Sequence, residues 1–188
     1  SLRGPALDSM QEARTDALVQ RVCAGFANEL SVAARMRGTD DIPGAEAADM
    51  AFALIDMPEQ KRVLWVDNKP DGNRHEIGAL AKLQIEVVTA LSTEDALVRL
   101  DTDPEGFDLV LSDWDRPEAL DGSASAGLKL LRALAAHPRR VPVIFYHGEF
   151  DEARRAARRD TLLRAGAFGE AVSPGELLAL VRTALQSA

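Results

Sequence analysis

Two aspartates carry the chemistry most directly legible in this chain. Asp67 follows the apolar run Val63-Leu-Trp-Val66, and Asp113 follows Leu109-Val-Leu-Ser112. Runs of this kind read as strands buried on both faces, so each acid stands at the carboxyl end of a strand. If those two strands are neighbours, the acids converge at one rim. Carboxylates brought that close repel one another, and they either share a proton or hold a cation. Oxygen donors with room for water suit Mg²⁺. A carboxylate held this way can attack phosphorus and form an aspartyl phosphate. Either aspartate alone reads as the start of a turn; the pair in one topology favours the chemistry. The other polar residues at strand ends are Asn68, Asp115, His147 and Ser173.

The elements that must position these residues alternate along the chain. Arg62–Val66, Ile85–Thr89, Phe107–Ser112, Val141–Tyr146 and Phe168–Val172 read as strands. Helices are expected over Arg74–Leu83, Ser92–Leu100, Leu128–Ala136 and Asp151–Arg164, and from Pro174 to Leu185. Ser92 and Asp95 have the spacing of a capping box, and Pro174 suits the first turn of the last helix. Five βα units predict a parallel sheet with helices on both faces. In such sheets ligands bind at the carboxyl ends of the strands, where strand order reverses.

The first sixty residues have a different texture. Apolar residues recur at helical spacing from Met10 through Val22 and Phe26 to Leu30 and Ala33, which predicts one long amphipathic helix over Ala6–Met36. Turn residues from Arg37 to Gly44 stop it, and a shorter helix over Ala45–Ile55 closes at Pro58. This divides the chain into a two-helix extension (1–60) and an α/β domain (61–188). The apolar stripe has two equally good outlets: folding back on its own domain, or pairing across a homodimer.

Composition sets the outer limits. The chain has 188 residues, 46% hydrophobic and 28% charged, which suits one domain with an appendage and excludes a disordered chain. With 22 Lys and Arg against 30 Asp and Glu, the net charge of −8 disfavours nucleic-acid partners. No apolar run approaches the ~20 residues of a membrane helix, and no secretory signal is read after Ser1. Cys23 stands alone, which fits a reducing cytoplasm, and His75, His137 and His147 lack metal-ligand spacing.

Val63-Leu-Trp-Val-Asp67-Asn68-Lys-Pro70 resembles the start of a two-component response-regulator receiver domain. Phe107-Asp-Leu-Val-Leu-Ser-Asp113, followed by Pro117, resembles that family's phosphorylation site; Pro142-Val-Ile144 and Ala165-Gly-Ala167 resemble its fourth and fifth strand signatures. The ordered likeness spans Lys61 to Leu185. It implies a flavodoxin-like sheet of order 2-1-3-4-5 and Mg²⁺-dependent phosphoryl transfer from a histidine kinase, with output through protein contacts rather than enzymatic turnover. By the resemblance, Asp113 is the phosphoacceptor, Asp67 and Asn68 belong to the metal site, the Asp115 carbonyl is a metal contact, and Pro117 shapes the loop.

The pattern departs from the family at four places. Asn68 stands where a second acid is usual, which predicts weak Mg²⁺ binding. His147 replaces the hydroxyl residue after the fourth strand, Ser173 replaces the lysine after the fifth, and Glu170 lies near the place of the switch aromatic. These departures describe a divergent, pseudo-receiver-like chain in which His147 either contacts the anion or fills a lost phosphate's space. Two further readings stand beside it. One is a phosphorylation-independent interaction module. The other is a haloacid-dehalogenase-type phosphohydrolase, which Asp113-Trp-Asp115 resembles, with Asp113 as nucleophile and Asp115 as general acid. Arg154, Arg155, Arg158 and Arg159 read either as a patch for an acidic partner or as a solvated helix face with Asp151 pairing to Arg155. Trp65 and Trp114 read as packing residues, Trp114 also as partial cover for the acids.

Overall fold

Strands with no polar face need cover on both sides, and that requirement organises the whole chain. The computed structural model describes residues 5–114, 116, 125–148 and 150–187. Helices α1 (Pro5–Arg37) and α2 (Gly44–Ile55) precede an alternating unit: β1 (Arg62–Val66), α3 (Arg74–Lys82), β2 (Glu86–Ala90), α4 (Thr93–Thr102), β3 (Leu109–Ser112), α5 (Ala126–Ala136), β4 (Val143–Tyr146), α6 (Glu152–Arg164), β5 (Gly169–Ala171) and α7 (Pro174–Gln186). The five strands form one parallel sheet in the order β2-β1-β3-β4-β5. This is the expected flavodoxin-like arrangement with its N-terminal helical extension.

Side chains alternate between two cores. Val63, Trp65, Leu109, Leu111, Ile144 and Tyr146 point to the face covered by α3 and α7. Leu64, Val66, Val110, Val143 and Phe145 point to the face covered by α4, α5 and α6. Strands β1, β3 and β4 are buried almost throughout, whereas the edge strand β2 keeps Glu86 exposed. Boundaries follow the expected ones closely, with local causes for the shifts. Strand β3 begins late because the Asp108 carboxylate accepts the Arg62 N–H at 2.8 Å, beside Gly106 at φ 72°. Ser92, Asp151 and Ser173 each cap a helix, accepting the N–H of Asp95, Arg154 and Glu176 respectively.

The amphipathic stripe of α1 takes different courses in its two halves. From Val22 onward it folds back: Phe26 and Leu30 are fully buried and join Met50, Leu54, Leu80 and Leu178 in one core. Besides packing on each other, α1 lies against α3 and α7 and α2 against α7, so the extension forms an outer layer over those two helices. The first half carries Leu7, Met10 and Leu18 exposed.

Truncation should separate the halves. Leu30→Ala is expected to destabilise the protein by about 3 kcal/mol in urea unfolding, whereas Leu7→Ala should change stability by less than about 0.5 kcal/mol. Equal effects would contradict this division of the helix.

Candidate functional site

Parallel register brings the two acids together. Val66 pairs with Ser112 across β1 and β3, and the Asp113 N–H donates to the Val66 carbonyl at 3.2 Å. Asp67 and Asp113 therefore leave adjacent strands at their carboxyl ends, beside the point where strand order reverses. Both line an open pocket of about 550 Å³ together with Asn68, Lys69, Asn73, Arg37 and Tyr146.

Each carboxylate is held differently. Asp67 accepts the Lys69 backbone N–H through Oδ1 at 2.7 Å and the Asn73 side-chain amide through Oδ2 at 2.8 Å. Asp113 is engaged at Oδ1 by the guanidinium of Arg116, whose side chain is fully buried while that of Asp113 keeps 17% exposure toward solvent. Arg116 also donates to Ser112 Oγ at 2.6 Å, Thr93 Oγ1 at 3.1 Å and the Ala126 carbonyl at 3.3 Å, tying three elements to the nucleophile candidate. Burial pushes the Asp113 carboxyl up to about 6; Arg116 opposes that rise and the neighbouring Asp67 adds to it. Gly127 permits the close fit behind the site, since a Cβ there would lie 2.8 Å from Phe145 and 3.0 Å from the Trp114 carbonyl.

Asn68 lines the pocket as expected. Asp115 and Pro117 lie outside the described residues. His147 and Ser173 do not line the pocket. His147 is buried, its Nε2 is 2.7 Å from Glu170 Oε2 and its Nδ1 is 3.2 Å from the Arg158 guanidinium. With a guanidinium donor at Nδ1, the proton belongs on Nε2, which donates to Glu170. Burial lowers the His147 pKa, Arg158 and Arg155 lower it further, and Glu170 opposes them. Its two ring nitrogens face Glu170 and Arg158 rather than the acidic pocket. The Ser173 hydroxyl accepts the Glu176 N–H at 3.2 Å as the cap of α7.

The arginines of α6 also differ from both expectations. Arg155 and Arg159 bind the fully buried Glu170 carboxylate at 3.0 and 2.7 Å, and Arg155 also binds Glu176 at 2.7 Å. Asp151 caps the helix instead of pairing with Arg155. Arg158 lies over the Trp114 ring, 5.0 Å from its centroid, and Trp114 meets Phe145 edge-on. Trp65 packs against Tyr146 in the core.

Two residues of the site escaped the sequence reading. Arg116 had a usable signal, a lone arginine between the acid pair and Pro117. Arg37 had none, because its partners Asn73 and Glu76 lie 36 and 39 residues away.

Carboxylate and amide oxygens from Asp67, Asn68 and Asp113 are the donor type that Mg²⁺ takes. Among the described residues, however, no three His, Cys, Asp or Glu side chains are grouped as a metal would need, and Arg116 already balances one of the two carboxylates.

No protein-family model and no curated protein matches the sequence. Solved structures do match. The receiver domain of the Francisella response regulator 1452 is 19% identical with a TM-score of 0.56, covering 68% of this chain and 98% of that one. The chemotaxis response regulator CheY4 of Vibrio cholerae is 20% identical with a TM-score of 0.54, over 68% of this chain and all (100%) of that chain. A CheY-like receiver domain protein from Methanospirillum hungatei is 22% identical with a TM-score of 0.54, over 69% and 96%. The chain has the receiver-domain fold. About a third of it, by these coverages, lies outside the shared receiver fold. No helix among the described residues is long and apolar enough to cross a membrane.

Because its pKa in the receiver fold lies above that of an unfolded aspartate, Asp113 favours folding in acid. That contribution is lost as pH rises from about 4 through about 6. Arg116→Met removes the counter-ion from the ionised, buried carboxylate, so it should cost about 3 kcal/mol near pH 8 and distinctly less near pH 5. Urea unfolding at the two pH values checks this; a pH-independent loss would mean that Arg116 stabilises only through packing.

Proposed function

We propose that this protein is a signal-transduction receiver that accepts a phosphoryl group on Asp113. The observation that carries the reading is the meeting of Asp67 and Asp113 in one open pocket at the switch point of the sheet, with the buried Arg116 holding one oxygen of the acceptor. The ionised Asp113 attacks the phosphorus of a phosphodonor through Oδ2. A P–O bond forms, the donor's bond to phosphorus breaks, and the leaving group keeps that electron pair. Arg116 keeps Oδ1 in place and offsets the carboxylate's charge. The role is that of an acceptor and relay, with output through protein contacts, and a histidine kinase is the proposed donor.

Mg²⁺, held by Asp67, Asn68 and Asp113, would supply positive charge to the transferring group. Its binding is proposed to be weak, because Asn68 is neutral and Arg116 competes for Asp113. The exposed Leu7, Met10 and Leu18 support a homodimer joined through the first half of α1. A specific observation favours one second reading, an interaction module without phosphorylation: Asp113 is already ion-paired and His147 is closed off by Glu170.

The full chain incubated with acetyl phosphate and Mg²⁺ should gain the mass of one phosphoryl group, and Asp113→Asn should gain none. Uptake needs the ionised nucleophile, so it should fall as the medium is made acidic. A wild-type protein that stays unmodified across pH selects the interaction module, and a modification that persists in the variant removes Asp113 as acceptor.

A further inference from the structure

A phosphoryl group entering this pocket brings negative charge toward two carboxylates and requires an accessible cation. Arg116 cannot meet the group directly, because its side chain is fully buried behind Asp113. Arg155 and Arg159 are spent on Glu170, and Arg158 lies over Trp114. Among the described residues, the cations that line the pocket are Lys69 and Arg37. Arg37 is the last residue of α1 and so belongs to the extension.

Arg37 is built into its place. Its Nε donates to Glu76 Oε1 at 2.6 Å and its Nη2 to Asn73 Oδ1 at 2.7 Å. Its guanidinium lies over the Tyr146 ring, 4.0 Å from the centroid, and the Tyr146 hydroxyl donates to the same Glu76 oxygen at 2.9 Å. Asn73 in turn donates to Asp67, so the arginine is connected to the acidic pair through a single amide. The helix stops directly after it: Gly38 adopts φ 67°, and the Thr39 N–H returns to the Ala34 carbonyl at 2.9 Å. Three contacts therefore orient a guanidinium that keeps 22% of its side chain exposed, and its Nη1 has no hydrogen-bond partner among the described residues.

We infer that Arg37 is the cation that contacts a tetrahedral oxyanion bound at Asp113, so that the N-terminal helix completes the candidate site. A planar guanidinium already held in orientation loses little freedom when it binds an oxyanion. The inference rests on the phosphoryl-acceptor reading and adds to it the source of the positive charge: an element outside the α/β domain.

The test uses the full chain and beryllium trifluoride with Mg²⁺, a phosphoryl mimic, followed by calorimetry. Wild type should bind. Arg37→Gln should weaken binding by about tenfold or more, the scale of a lost charge-assisted hydrogen bond, and Arg37→Lys, which keeps the charge but not the held fork, should recover part of that loss. Circular dichroism establishes that the variants are folded. Absence of binding by wild type would defeat the acceptor reading itself. Binding by wild type and Arg37→Gln with equal affinity would overturn the inference and leave that reading intact. Equal losses in the folded Gln and Lys variants would also overturn it, by assigning Arg37 a purely structural part. If Arg37→Gln does not fold, protection of wild-type Arg37 from phenylglyoxal by the bound mimic decides: protection supports the contact, and unchanged modification refutes it.

Discussion

Two carboxylates at the ends of adjacent buried strands impose the constraint around which this molecule is arranged. In-register pairing of β1 with β3 leaves Asp67 and Asp113 no alternative to proximity. Like charges in a partly desolvated pocket are costly unless each finds a compensating partner. Asp67 finds neutral donors, a backbone N–H and the Asn73 amide, while Asp113 finds a fully buried guanidinium. The Asp113 carboxyl is still pushed up to about 6 despite that partner, so burial outweighs the ion pair. Such a carboxylate is ionised at neutral pH and more basic than an ordinary aspartate, which suits a nucleophile.

A second buried charge occupies the neighbouring corner of the sheet. Glu170 on β5 has a fully buried side chain and is met by Arg155, Arg159 and His147. Leaving that carboxylate without partners would be strongly unfavourable, and the four-group cluster avoids it. The cluster also explains why His147 and Ser173 take no part in the pocket. The imidazole is consumed by Glu170 and Arg158, and the hydroxyl is consumed by a helix terminus. The chain thus has an acidic pair at the ends of β1 and β3 and an internal ion network beside β4 and β5.

The extension contributes to the core and to the wall of the pocket. The second half of α1 supplies Phe26 and Leu30 to the larger core, and the last residue of that helix, Arg37, lines the acidic pocket. Glu76 shows how the two are linked, because its buried carboxylate accepts from Arg37 and Tyr146 at once. One hydrogen-bonded group therefore joins the end of α1 to the wall of the pocket.

The sequence by itself determined the architecture and the acidic pair. Strand and helix periodicities, the turn chemistry after Met36 and the apolar runs before Asp67 and Asp113 are local signals, and local signals survive in one dimension. Tertiary structure decided which charges meet. Arg116 is shut in against Asp113 only once β3, α4 and α5 surround it, the α6 arginines reach Glu170 only across the β4–β5 edge, and Arg37 reaches Glu76 only after a long helix has docked. Whether His147 faced an anion or a carboxylate was likewise open until β5 lay beside β4. The physical reason is common to all four. An ion pair depends on distance in space and on exclusion of water, and neither is encoded by the spacing of residues along the chain.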